Sequence, residues 1–340
     1  MRRRNFLKNI SLFTGGSVLP VSSYPTIAHQ TGKISDYSDN KTIKRIAVTA
    51  PSSIGVNENF WIGIRILTEP YYARWIPQWQ RTGVTVDGPF NHSSRGTKFM
   101  DNVMPEWKGT VHIMGSAGFR GRDTYSFTEG AGPYQRDKRP VRRLENFSFN
   151  TPGIKYIRVV DPVSGIEGIS NPIHVDIEAP KERLFWAELH CHSFFGDGIR
   201  NPEEIHSFAR DESFLDIFAL TDHVEALSDA QWNYFREVAN TFNEPQRFVS
   251  FIGGEWTSSK FGHHGFLYPG SEGPILRCTD PDQDTLEKIY AIAKQHGAMI
   301  IANHPAEDGW GFDWNKGHND NVERLVEVYS IGGAYDTPAE

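Results

Sequence analysis

Apolar and polar residues alternate at every second position in several short stretches of the first half of the chain. These stretches cover residues 46–50, 60–66, 154–160 and 173–177, and glycine and proline residues separate them. Side chains two apart in an extended chain point to the same face, so each stretch predicts a strand with one buried face. Short strands separated by turn residues are typical of β-sandwiches, and we expect an immunoglobulin-like β-sandwich over residues 44–180.

The pattern changes after residue 180, where apolar runs alternate with segments of helical periodicity. The strands are predicted at 184–189, 215–220, 248–253, 298–302 and 325–329. Three helices are predicted between them, one capped by Asn201, one over 228–242 and one over 284–296 that ends at Gly297. Repeated strand–helix units predict an α/β domain over 184–340, built on a parallel sheet or a distorted β/α barrel.

The N-terminus has the pattern of an export signal. The segment Arg3-Arg4-Asn5-Phe6-Leu7-Lys8 resembles a twin-arginine signal, and a modest apolar stretch follows it. We therefore expect residues 1–35 to be signal and linker, and the protein to be periplasmic or secreted.

Composition excludes two classes of partner. The 340 residues contain no apolar run of membrane-spanning length, so no membrane span is expected. The net charge of -7 opposes binding to phosphate backbones, so no nucleic-acid partner is expected.

Residues that commonly bind metals follow the predicted strands of the second half. His190 and His192 come after the first strand, and residues two apart in an extended chain can meet one ion. The next three strands are followed by His223, Glu255 and His304. Because the ends of parallel strands converge at one edge of a sheet, this recurrence predicts a metal site.

These motifs resemble those of the PHP (polymerase and histidinol phosphatase) superfamily, and more closely the exported domain-of-unknown-function 3604 family within it. The matching segments are Glu188-Leu189-His190-Cys191-His192-Ser193, Ala219-Leu220-Thr221-Asp222-His223, Gly254-Glu255-Trp256, Gly262-His263 and His304-Pro305. The resemblance implies a β-rich front domain followed by a PHP-type distorted β/α barrel with two or three Zn, Mn or Fe ions.

The resemblance also implies the functional residues. The expected metal ligands are His190, His192, Asp197, His223, Glu255, His263 and His304. Glu255 would bridge the ions, and Asp197, Glu255 and His263 are the expected catalytic residues. Asp222 would orient an imidazole, and His264 beside His263 leaves a one-residue ambiguity.

The implied activity is a metal-dependent hydrolase that acts through a metal-activated water. The substrate would be a small-molecule or polymer ester, and a phosphoester is the first hypothesis. Two alternatives stay open: an amide or sulfate-ester metallohydrolase, and a non-catalytic protein that binds a glycan or another ligand.

One departure from the family pattern concerns the end of the chain. The superfamily supplies a late Asp-x-His pair from its last strand, and no such pair follows Ser330 here. About five barrel strands are predicted instead of seven. We therefore expect the barrel to be incomplete because the chain is truncated.

Overall fold

The computed structural model describes residues 42–68, 71–74, 97–100, 107–128, 139–198, 200–307, 310–312, 314–330 and 333–334. The predicted export signal lies outside these residues. The described residues separate into two compact units, which meet in sequence between Arg183 and Leu184.

The first unit contains the strands before Leu184. They are β1 (Arg45–Thr49), β2 (Ser53–Gly55), β3 (Phe60–Leu67), β4 (Tyr71–Arg74), β5 (Thr97–Met100), β6 (Thr110–Gly115), β7 (Phe119–Arg120), β8 (Thr124–Ser126), β9 (Val141–Phe149), β10 (Gly153–Lys155), β11 (Ile157–Val160), β12 (Glu167–Ile169) and β13 (Ile173–Asp176). Their sheet orders are β1-β3-β9-β7, β10-β13-β2, β12-β11-β6-β8 and β4-β5.

One hydrophobic core joins the first three of these sheets. Ile62, Ile64 and Ile66 of β3 are fully buried, which confirms the alternation predicted there, and they share a core with Val159 and Val175. The predicted strand over 154–160 is interrupted at Tyr156, which separates β10 from β11. The apolar faces of these three sheets therefore pack on a common core.

The second unit contains the following elements. They are β14 (Ala187–Glu188), α1 (Pro202–Ser207), a π-helical turn (Phe208–Glu212), β15 (Ile217–Leu220), a 3₁₀ turn (Val224–Ala226), α2 (Asp229–Phe242), β16 (Val249–Ser258), β17 (Gly262–Tyr268), α3 (Leu286–His296), β18 (Met299–Ala302), a 3₁₀ turn (Trp314–Lys316), β19 (Glu323–Val326), β20 (Tyr329–Ser330) and β21 (Gly333–Ala334).

The predicted helices are present, although α3 begins at Leu286 after the capping residue Thr285, two residues later than predicted. Asn201 accepts a hydrogen bond from the amide of Glu204 at 2.8 Å, and Ser228 forms a capping box with Gln231. Gly297 ends α3 in the left-handed conformation, with φ of 63°. Apolar residues of α2 and α3 share one core with residues of the central sheet.

The central sheet has the order β14-β15-β16-β17-β18-β19 and mixes both strand directions. Strands β14, β15 and β16 are parallel, β17 is antiparallel to both of its neighbours, and β18 is parallel to β19. The sequence predicts only parallel strands here and contains no prediction for β17. All seven residues of β17 are buried, so its sequence lacks the alternation of a half-exposed strand.

Candidate metal centre

Five histidines that are distant in sequence lie around the carboxylate of Glu255, whose side chain is fully buried in β16. They come from four different places in the sheet and are His190 and His192 after β14, His223 after β15, His263 in β17 and His304 after β18. The sequence placed Glu255 after its strand, whereas β16 continues to Ser258.

The local hydrogen bonds explain how the first of these elements converge. The amide of Glu255 donates to the carbonyl of Asp222 at 2.9 Å, and a parallel bridge joins His223 to Glu255. The parallel pairing of β15 with β16 therefore continues beyond Leu220 and sets the imidazole of His223 beside the carboxylate. The hairpin formed by β16 and β17 returns the chain, which pairs His263 with Thr257.

The imidazoles divide between the two oxygens of the Glu255 carboxylate. Three of them face Oε1, at 3.2 Å for His190 Nε2, 3.4 Å for His263 Nδ1 and 3.3 Å for His304 Nε2. Two face Oε2, at 3.3 Å for His192 Nε2 and 2.8 Å for His223 Nδ1. Both oxygens of this carboxylate therefore face imidazole nitrogens.

Three groups of these residues could hold a metal ion. In each group the candidate ligand atoms lie within 4.8 Å of one another, and the groups are His190 with His192 and Glu255, His192 with Asp197 and His223, and His223 with Glu255 and His263. Six of the seven predicted ligands belong to these groups. His304 belongs to the same cluster through its contact with Glu255.

Several buried polar atoms in the cluster are suited to bind a cation. Within the described residues, neither ring nitrogen of His263 makes a hydrogen bond, and the same holds for His192 Nε2 and Glu255 Oε2. Buried polar groups in folded proteins are nearly always hydrogen-bonded, and a metal ion is one established exception. Imidazole lone pairs and carboxylate oxygens that face one another repel, whereas a divalent ion between them would bind both.

The electrostatics of the metal-free cluster are those of a buried anion within a ring of imidazoles. Burial raises the pKa of Glu255, but the positive charges of His190 and His223 outweigh it and hold that pKa well below its usual value. Burial lowers the pKa of His190, but the charge of Glu255 outweighs it and raises the pKa to about 9. Burial lowers the pKa of His263, so this imidazole is neutral at pH 7.

The two aspartates that the sequence singles out differ in position, since Asp197 lies in a short loop after β14 and Asp222 follows β15. The carboxylate of Asp197 accepts a hydrogen bond from His192 Nδ1. The amide of Ser193 instead donates one bifurcated hydrogen bond to Asp222, at 3.0 Å to each carboxylate oxygen, and burial raises the pKa of Asp222. Asp222 therefore holds the loop that carries Asp197, and within the described residues it belongs to none of the candidate metal groups.

Two residues of the centre are absent from the sequence prediction. Asn303 donates from Nδ2 to Glu255 Oε1 at 2.8 Å. Glu327 accepts from His190 Nδ1 at 3.1 Å and from the amide of His304 at 2.7 Å. Glu327 directly follows β19, but it lies inside the strand predicted over 325–329, so no strand-end signal identified it.

A cleft of about 490 Å³ adjoins the cluster, lined by Thr257, Ser258, Ser259, Lys260, Cys278, Asp284, Thr285 and Trp310. Two of its residues contact the cluster. Thr257 Oγ1 lies 2.8 Å from His223 Nδ1, and the Trp310 ring lies 5.3 Å from the ring of His263. The cleft therefore lies beside the cluster, and none of the candidate ligands is among the residues that line it.

Comparison with known proteins adds one distant relative. An uncharacterized protein of Chlamydia pneumoniae is 26% identical over 200 residues, which is 58% of this chain and 32% of the relative. The matched region is thus about a third of the relative's length. No family model matches the chain, and no solved structure matches it significantly.

Proposed function

We propose that the cluster holds two divalent ions bridged by Glu255 and that the protein is a metal-dependent phosphoesterase. The observation that carries this proposal is the division of five imidazoles between the two oxygens of one fully buried carboxylate. The nitrogen-rich donor set favours Zn, Mn or Fe over Mg or Ca, which prefer oxygen ligands.

The ions, when bound, would lower the pKa of a water molecule and neutralise charge that develops on the phosphoryl oxygens. The chain supplies the remaining functions. His263 is neutral at pH 7 and offers a lone pair to an ion without first losing a proton. Asp197 is 36% exposed beside His192, so its carboxylate can accept the proton of an attacking water.

The cleft supports an anionic substrate. Lys260 brings a positive charge to its wall, whereas the negative charge of Asp284 is countered by Lys288 Nζ at 2.7 Å. An ammonium group on the wall of the cleft attracts a phosphate or sulfate ester more than it attracts a neutral amide. The cleft would hold the leaving group of the ester.

The test combines metal analysis with turnover. Purified protein is loaded with Zn, Mn or Fe, and a panel of phosphoesters, sulfate esters and amides is assayed with it. We expect bound metal and phosphoester turnover, and we expect Glu255→Gln to lose both. Turnover of amides or sulfate esters alone would replace the phosphoesterase proposal with another metallohydrolase, and bound metal without any turnover would favour a binding protein.

The cellular location of the protein is a separate proposal, because it rests on the sequence of residues 1–35. We propose export to the periplasm or beyond, tested by fractionating cells that express the full chain and a variant with Arg3 and Arg4 replaced by lysine. Among the described residues, no helix is long and apolar enough to cross a membrane.

A further inference from the structure

We infer that Glu327 is a positioning residue that sets the orientation of two metal ligands, His190 and His304. The inference rests on the proposed metal centre and goes beyond it, because it concerns a residue that no ligand pattern identifies. Glu327 lies immediately after β19, and its amide donates to the carbonyl of Ala302 at 2.9 Å. This bond fixes the backbone of Glu327 at the end of β18, one strand away from its own.

The contact with His190 selects one tautomer of the imidazole. His190 Nδ1 lies 3.1 Å from Glu327 Oε2 and 3.2 Å from Oε1, whereas Nε2 lies 3.2 Å from Glu255 Oε1. A carboxylate beside Nδ1 favours the proton on that nitrogen, which leaves the lone pair of Nε2 directed at the centre. Glu327 thereby makes His190 a ligand through Nε2.

The contact with His304 holds an unusual backbone. His304 has a φ of 28°, in the left-handed region that residues with a side chain seldom adopt. Its amide donates to Glu327 Oε2 at 2.7 Å, a bond to a charged acceptor. This backbone conformation directs His304 Nε2 to within 3.3 Å of Glu255 Oε1. The carboxylate that orients His190 therefore also stabilises the strained backbone of His304.

The geometry distinguishes Glu327 from Glu307, another acidic residue beside His304. Glu307 is equally buried, with 16% of its side chain exposed against 15% for Glu327. Its carboxylate, however, lies 3.7 Å from His304 Nδ1, beyond hydrogen-bond distance. Replacing Glu307 therefore removes a negative charge near the centre without removing the two bonds, and Glu307→Gln is a matched control.

The experiment measures Zn²⁺ affinity and the far-downfield imidazole N–H proton resonances of the zinc-loaded full chain. Glu327→Ala should weaken Zn²⁺ binding by about 10–100-fold, as expected for loss of a group that orients a ligand. It should also remove the resonance that His190→Ala identifies as His190 Nδ1–H. Glu327→Gln keeps an acceptor oxygen for the His304 amide, so its loss of affinity should be smaller. Glu307→Gln should change affinity by less than about threefold.

The outcomes separate this inference from the metal centre itself. If the wild-type chain binds no Zn²⁺, the proposed centre fails and Glu327 has no ligands to position. If wild type binds Zn²⁺ and a folded Glu327→Ala protein keeps both the affinity and the His190 resonance, the inference alone is wrong. Should the alanine variant not fold, an unchanged affinity and resonance in Glu327→Gln would overturn it equally.

Discussion

His263 and His264 are neighbours in β17, and their side chains face opposite sides of the sheet. His263 Nδ1 lies 3.4 Å from Glu255 Oε1 in the candidate metal centre. His264 Nε2 lies 3.2 Å from Oε1 of Glu323, a buried carboxylate that also accepts a hydrogen bond from Tyr290. Successive side chains of a strand alternate between its two faces, so only one of the pair can reach the metal centre.

Replacing the two histidines should therefore have different effects on the protein. His263→Ala should weaken metal binding by at least about tenfold, because it removes one of the candidate ligand groups. His264→Ala should keep the bound metal but lower the free energy of unfolding by about 1–3 kcal/mol, since it removes a partner of buried Glu323.

Elemental analysis and urea denaturation of the two variants check this assignment. The denaturation is done on metal-free protein, so that lost metal binding does not contribute to the measured stability. Loss of metal from His264→Ala with retention in His263→Ala would reverse the assignment of the two residues.

This pair also shows what sequence reasoning could and could not reach. Two sequence features predict most members of the cluster, namely the spacing of His190 and His192 and the recurrence of ligand-type residues after strands. These features are informative because chain direction and strand period determine where such residues lie. The choice between His263 and His264 came from resemblance, since β17 is buried on both faces and carries no alternation. A strand without alternation gives no indication of which residue faces the core.

Two further residues show the limits imposed by distance in sequence. Asn303 donates to a carboxylate 48 positions away, and Glu327 accepts from a ring 137 positions away. The first contact spans β17, which lies between β16 and β18, and the second joins residues that follow β14 and β19, the two edge strands of the central sheet. The sequence predicts parallel strands but not their order in the sheet, so it does not indicate which strand ends are neighbours.

Gly198 should be essential to the loop that carries Asp197. A Cβ atom at this position would lie 2.0 Å from the carbonyl oxygen of His192, and the amide of Gly198 donates to Ser193 at 2.8 Å. Gly198→Ala must therefore open the loop, which withdraws Asp197 from His192. We expect metal affinity to fall by about tenfold.

The matched control for this loop is Gly270→Ala, whose added Cβ would meet nothing closer than 3.8 Å. Calorimetric titration with Zn²⁺ compares the two variants. Equal affinity in both would mean that the loop adapts without moving Asp197.

Glu255 should stabilise the metal-free protein as well as bind metal. Its fully buried carboxylate is the counter-charge of His190, whose pKa of about 9 keeps that imidazole protonated at pH 7. Glu255→Gln removes one of the two carboxylates that face this imidazolium, since Glu327 Oε2 stays 3.1 Å from Nδ1, so the cost should be about 1–3 kcal/mol. The exposed helical residue Glu237 gives a control, since Glu237→Gln should change stability by less than about 0.5 kcal/mol. Urea denaturation at pH 7 in the presence of a chelator measures both variants, and a stable Glu255→Gln protein would contradict the prediction.

Metal binding and protonation should compete at His190, which gives the stabilisation by metal a definite pH dependence. Burial lowers the pKa of His190, but Glu255 raises it from 6.5 to about 9. Without metal, the protonated imidazole stabilises the fold fully below pH 6.5, and this contribution is lost as pH rises through about 9. A bound ion requires the neutral ring, so metal affinity should rise over the same interval. The difference in Tm between zinc-loaded and chelator-treated protein should therefore widen from pH 6.5 to 9, and His190→Gln should flatten this dependence. A difference in Tm that stays constant across the interval would show that His190 does not lose a proton to the metal.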